Sequence, residues 1–446
     1  MIELIVAYIL LVILVTAPLV FMLKTRLWSD YFLFFLSLSA FALLNVYGLY
    51  ALAHSVIITP LEFINFSRVF TAFLLVIVSF YIMFPLYLAF GPSRLAIRWT
   101  KVVPDSRDKH FGTATICLLW CLCAAVIVYY FAASGTLPPL MDLAEGRLVG
   151  LEYKQIEALR WESRIQGFHW FALAFYDIPA FLVLYSYALK HFIPSRSHNL
   201  IFWISLGTAA VLSVMFLNKI NIVFLFIGLS LCVILQQSRI RIRYLLGLGF
   251  GLAVAFWLYA VFYSATTIPL IGLGKIMWHR IIESYSMAAG IVLSLFPDHL
   301  AFFNGVTINN PGGLLPYEHV DLSFIVYSYL YRVEWGGAPS AGVWEGYANF
   351  GYLGLAMFCM LMQFLVFALH LSFRLAKKDA FMFAFFVFVS LKIVKIWTSS
   401  LFYTIIHPPF ILTLVILLGV RYGLIAPLTS VGRKSNGRRD IISGNK

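Results

Sequence analysis

From Leu4 to Leu23 the chain runs for twenty residues without a charge. At 1.5 Å per residue, such a run spans the roughly 30 Å hydrocarbon core of a bilayer as a helix. It lacks a basic leader segment and a small-residue cleavage site, so it reads as a retained span. Comparable runs recur along the chain, with limits near 3–23, 31–53, 67–90, 113–133, 168–189, 200–217, 220–236, 244–263, 350–372, 380–397 and 402–424. In lipid every backbone polar group must be satisfied within the segment, which leaves helices as the reading for runs of this length. The expected fold is therefore an all-α, polytopic membrane protein of about 11 transmembrane helices, folded as a single membrane domain over 1–446. Only 11% of the 446 residues are charged. A soluble domain carries about 25%.

The connecting segments sort by charge. Alternate loops and the tail hold 21 of the 32 Lys and Arg against five acids (Asp30, Asp105, Asp108, Asp379 and Asp440). The other side holds 11 bases and 14 acids. By the positive-inside rule the basic side is cytoplasmic, with the N-terminus outside and the C-terminus inside. The net charge of +13 is then a topology signal and calls for no nucleic-acid partner. The five cysteines lie in apolar runs without metal-ligand spacing, as packing residues do.

Two long segments fall on the outer side, 134–167 and 264–349. The first, with Leu148, Leu151, Ile156 and Leu159 among charges, has the spacing of an amphipathic helix. The second is rich in glycine, proline and aromatics and is expected to form a partly helical cap. The cytoplasmic loops are short, and no P-loop, DxD, HxxxH or GxSxG pattern occurs. The chemistry is therefore expected outside the cytoplasm, without nucleotide, metal or other cofactor.

Candidate residues concentrate on that side. Lys219 and Asn221 interrupt the apolar sequence in "LNKIN", which reads as a tight hairpin. Lys392 and Lys395 in "LKIVKIWTSS" lie about one turn apart at the end of a span. A charge inside a span costs about 2.5–3.5 kcal/mol on insertion scales, so such lysines either snorkel or line an anion site. In the long loop, Arg280 and Glu283 have the spacing of a helical ion pair. His319 stands between Glu318 and Asp321, which can poise it as a general base. Arg332 belongs to a glycine-rich turn beside Trp335. Finally, "WEGYANFGYLGL" places Glu345 and Asn349 four apart at the start of a span, on one helical face. Glu345 there suits the helix macrodipole or an acceptor hydroxyl.

The "EGYANFGYLG" stretch is similar to the C-terminal signature of the oligosaccharide repeat-unit polymerases, the Wzy or O-antigen polymerase family. Glu345, Tyr347, Asn349, Phe350 and Gly351 match it. Lys219 and Lys395 stand where that family carries basic residues, with lysine in place of the commoner arginine. The resemblance implies a bacterial inner-membrane glycosyltransferase that joins undecaprenyl-pyrophosphate-linked oligosaccharide units into a surface polysaccharide such as the O-antigen of lipopolysaccharide. It also implies a chain-length regulator as partner. Glu345 and His319 would be catalytic. Lys219, Asn221, Arg280, Arg332, Tyr347, Asn349, Lys392 and Lys395 would bind substrate. The alternatives are an O-antigen ligase-like transferase, which shares the large outer loop, and a non-enzymatic flippase, against which the long loops argue.

Overall fold

The computed structural model describes residues 2–54, 64–90, 106–134, 168–215, 219–237, 272, 274–275, 278–308, 310, 316–331, 337–338, 340–405 and 407–424. The principal helices in chain order are α1 (Ile2–Thr25), α2 (Phe32–Leu52), α3 (Phe66–Ala89), α4 (Ser106–Ser134), α5 (Trp170–Phe192), α6 (Arg196–Val214), α7 (Lys219–Gln237), α8 (Ser284–Leu295), α9 (Leu322–Tyr331), α10 (Gly342–Leu375), α11 (Ala380–Ile396) and α12 (Leu401–Tyr422). No strand occurs among the described residues. Seven of these helices contain stretches long and apolar enough to cross a membrane: α1, α2, α3, α4, α5, α10 and α12. The protein is a helical membrane protein. Helices α6, α7 and α11 occupy three further expected positions without being among those seven. The expected span 244–263 and the first outer loop, 134–167, apart from Ser134, lie outside the described residues, as do 216–218 in the expected hairpin between α6 and α7.

One boundary is corrected. The span expected to begin at 350 opens eight residues earlier, at Gly342, and the chain breaks at Phe350 (φ −138°, ψ 18°) and Gly351 (φ 63°, ψ −147°). A positive φ of this kind is tolerated by glycine because it has no Cβ. Residues 342–349 thus form a buried two-turn helix, followed by a longer segment that carries exposed apolar positions such as Leu353, Met357 and Phe364.

The chain divides into two compact units. The first comprises Met1–Arg98, Ile268–Ala376 and Val389–His407. Its core centres on α2: 67% of that helix's apolar window is buried, against 11% for α1. Phe41 packs on Phe73, Phe80 and Trp397, and Phe73 on Trp344 at 4.7 Å between ring centroids. Helix α2 contains a π-turn, Ala42–Val46. Such turns release backbone groups from the regular ladder. Here the carbonyl of Asn45 accepts the Ser286 hydroxyl at 2.6 Å. The Asn65 side chain caps α3 by accepting the Arg68 N–H at 3.1 Å.

The second unit comprises Trp99–Thr267, Lys377–Phe388 and Pro408–Lys446. Phe181 of α5 packs on Phe381 of α11 at 5.1 Å, and Trp120 of α4 donates to Ser205 of α6 at 3.0 Å. Its buried polar centre joins residues far apart in sequence. Asp108 accepts the Tyr185 hydroxyl (3.0 Å) and the Ala380 N–H (2.9 Å). Asp379 accepts the Met382 N–H at 2.9 Å and pairs with Arg421. Burial, then the neighbouring Asp379 charge, push the Asp108 carboxyl up to about 6.

Candidate functional site

The "WEGYANFG" stretch carries two of the first unit's buried polar side chains, Glu345 and Asn349. Gly342 opens the helix against Leu401: a Cβ there would lie 2.4 Å from the Leu401 backbone nitrogen. That close approach brings the 400–401 backbone beside Glu345. Ser400 Oγ donates to Glu345 Oε2 at 2.6 Å, and the Thr307 hydroxyl and Leu401 N–H also bond the carboxylate. Glu345 is 3% exposed. Its donors are neutral and come from two separate stretches of chain, Thr307 and Ser400–Leu401, which satisfy a buried carboxyl in place of water.

Asn349 solves a different problem. The break at 350–351 leaves the carbonyls at the end of the short helix without intrahelical partners. Phe303 N–H donates to the Ala348 carbonyl at 3.1 Å and Asn304 N–H to that of Asn349 at 3.2 Å. The Asn349 side chain completes the clamp. Its oxygen accepts the Gly305 N–H at 2.7 Å, and its nitrogen donates to Thr307 Oγ1 at 2.5 Å and to the Glu345 carbonyl at 2.8 Å. Both its N–H donors are therefore directed at protein, and the side chain is fully buried. The four-residue spacing of Glu345 and Asn349 does bring them together. The contact is made through the Glu345 main chain, and Thr307 links the two side chains.

Ser400 also joins this carboxylate to the lysine-bearing end of α11. The Lys395 carbonyl accepts the hydroxyls of Thr398 (2.8 Å) and Ser399 (3.1 Å), which close the helix end. Lys392 and Lys395 are half-buried, and Lys395 Nζ lies 5.9 Å from the centre of the Tyr403 ring. Asn45 ties the two stretches a second time. It donates to the Trp397 carbonyl at 3.3 Å and accepts the Trp344 indole N–H at 3.1 Å. The signature and the "LKIVKIWTSS" segment, separate in sequence, thus share one hydrogen-bonded wall.

The remaining candidates are distributed elsewhere. Tyr347 is buried, its hydroxyl donating to the Phe296 carbonyl at 3.3 Å and its ring packed on Phe302 and Tyr352. His319 is exposed, with Nδ1 3.3 Å from the Ile308 carbonyl. Asp321, expected to poise it, accepts the Ser323 N–H at 2.8 Å and caps α9. Lys219 opens α7 in the second unit and its side chain is outside the described residues. Asn221, on the same helix, is half-buried. Arg280 belongs to the π-turn His279–Glu283, its side chain likewise outside the described residues, and Glu283 takes His279 as a partner. Arg332 lies outside the described residues.

Asn45, Thr307, Ser400 and Arg68 escaped the sequence reading. Thr307 and Ser400 carry no signal, since hydroxyl residues are common in loops. Arg68 carried one: it is among the 11 bases on the less basic side. It donates to the carbonyls of Phe296 (2.7 Å) and Leu293 (3.3 Å) and pairs with Asp298 at 3.0 Å, closing the C-terminal end of α8.

No protein-family model matches the chain, and neither a curated protein nor a solved structure matches it.

Proposed function

We propose that this protein is a glycosyltransferase-type polymerase of the bacterial inner membrane, joining undecaprenyl-pyrophosphate-linked oligosaccharide units on the outer side. The observation that carries the reading is the Ser400–Glu345 hydrogen bond, which joins the signature stretch to the lysines of α11 within one unit. The transfer needs cations to stabilise the departing pyrophosphate near a low-dielectric phase. Lys392 and Lys395 supply them. A lysine offers pyrophosphate a point charge where arginine would offer a planar fork. Glu345 is sealed among donors, so its part is to hold the α11 end against the short helix, not to touch the acceptor sugar.

The glycolipid ladder of cells lacking the gene tests this. A lipid A core capped with a single repeat unit is the expected result, restored to a ladder by the wild-type gene but not by a Lys392→Ala, Lys395→Ala double variant. Loss of even the first unit would point to a ligase or flippase.

A further inference from the structure

The transfer also needs a base for the attacking hydroxyl, and the first unit offers one at the π-turn His279–Glu283 that precedes α8. His279 Nδ1 lies 3.0 Å from Glu283 Oε2. The other carboxylate oxygen accepts the Tyr50 hydroxyl, and the Trp278 indole N–H donates to that same Tyr50 oxygen. Burial works against the Glu283 charge, but the bonds from Tyr50 and His279 outweigh it and hold the carboxyl below its ordinary value. An ionised carboxylate facing Nδ1 fixes the tautomer with the proton on Nδ1 and leaves Nε2 as a lone-pair acceptor. The His279 side chain is 37% exposed and Trp278 is 52% exposed. The indole is pinned by its N–H, while much of its ring surface stays open, as a stacking surface for a sugar requires.

The cluster is tied to the wall described above. Ser286, just past the π-turn, donates to the Asn45 carbonyl, and the Asn45 amide bonds Trp344 and Trp397, which flank Glu345 and the Lys395–Ser400 stretch. His319 lacks this support, since its Nδ1 faces a main-chain carbonyl.

We propose that His279 is the general base for the acceptor hydroxyl and that Trp278 is the surface on which the acceptor sugar stacks. This rests on the polymerase reading. The hydroxyl proton passes to His279 Nε2 as the hydroxyl oxygen forms its bond to the anomeric carbon of the donor. The bond from that carbon to the pyrophosphate oxygen breaks, and its electron pair leaves on the lipid pyrophosphate. Glu283 balances the imidazolium until the proton is released to water.

The test uses the full chain in liposomes, with the lipid-linked glycan that accumulates in cells lacking the gene as substrate. If wild-type protein forms no polymer, the polymerase reading fails and takes this one with it. With wild-type activity present, His279→Ala should lower turnover by about 100-fold or more, the usual share of a general base. Its KM should stay within about threefold, and added imidazole should restore part of the rate. Glu283→Gln should lower turnover, since the amide no longer balances the imidazolium. Trp278→Ala should raise KM, and Trp278→Phe should not. His279→Gln, which keeps an N–H for Glu283, serves if the alanine variant does not fold. Turnover near wild type in either His279 variant would overturn the assignment, as would a loss in His279→Ala that imidazole does not relieve.

Discussion

Ser400 donates a 2.6 Å hydrogen bond to Glu345 across 55 residues of chain. If Glu345 positions the α11 end, its charge matters less than its shape and its acceptors. Glu345→Gln turns one acceptor oxygen into a donor facing donors, which costs about 1–3 kcal/mol for a buried group. The melting temperature in detergent should fall, and polymer formation should drop by less than tenfold. Ser400→Ala should do the same more mildly. A loss of 100-fold or more in Glu345→Gln at unchanged melting temperature would make Glu345 the base and displace His279.

The Asn349 amide holds three hydrogen bonds beside the helix break, to the Gly305 N–H, the Thr307 hydroxyl and the Glu345 carbonyl. Asn349→Ala strips all three and leaves the Gly305 N–H without its acceptor. A destabilisation on the order of 3 kcal/mol is expected, at about 1 kcal/mol per bond, together with reduced accumulation in membranes. Asn349→Asp keeps the acceptor for Gly305 but turns a carboxylate toward the Glu345 carbonyl, and should be no better tolerated. Wild-type melting of Asn349→Ala would show that the clamp at 303–307 contributes little.

The seven long apolar helices were legible because the bilayer imposes length and polarity on each, and runs such as Phe66–Ala89 begin and end within a residue of their sequence limits. The early start of α10 was not. Gly342, Gly346 and the polar Glu345 and Asn349 depress the hydropathy of a segment that is nevertheless buried, because Thr307, Ser400 and the 303–305 turn satisfy it from elsewhere in the chain. The Glu345–Asn349 proximity was visible as helical spacing. Its partners were not, since periodicity says nothing about contacts 42 or 55 residues away. Asp108, Asp379 and Arg421 read as loop and tail charges that set topology, yet they meet in the buried centre of the second unit.

Arg68 closes α8 through two carbonyls and reaches Asp298, which is 47% exposed in its side chain. The two kinds of contact should separate by mutation. Asp298→Asn removes a partly solvated ion pair, worth about 0–1 kcal/mol, and should leave melting nearly unchanged. Arg68→Ala also leaves the Leu293 carbonyl without its donor and weakens the Phe296 end, where the Tyr347 hydroxyl also binds. Its melting temperature should fall clearly below that of Asp298→Asn. Equal effects of the two substitutions would locate the stabilisation in the ion pair and contradict the capping role.

The second unit gives a pH prediction with a definite sign. The Asp108 carboxyl is pushed up to about 6 from 3.8, first by burial and then by the Asp379 charge, against the lowering effect of its Ala380, Tyr185 and Arg421 neighbours. Between these two values the folded protein holds a proton that the unfolded chain has released. The contribution of this group to stability therefore falls as pH rises from about 4 to 6, and the penalty is fully present above the folded value. A shift of this size corresponds to about 1–3 kcal/mol. Melting of the detergent-solubilised wild type, measured from pH 4 to 8, carries this slope. Asp108→Asn cannot titrate and should flatten it, with its stability relative to wild type improving as pH rises. It still loses an acceptor for either Tyr185 or Ala380. Tyr185→Phe removes a donor that favours the ionised form, so it should keep the slope and extend it to higher pH. An identical pH slope in wild type and Asp108→Asn would show that Asp108 does not titrate in this range.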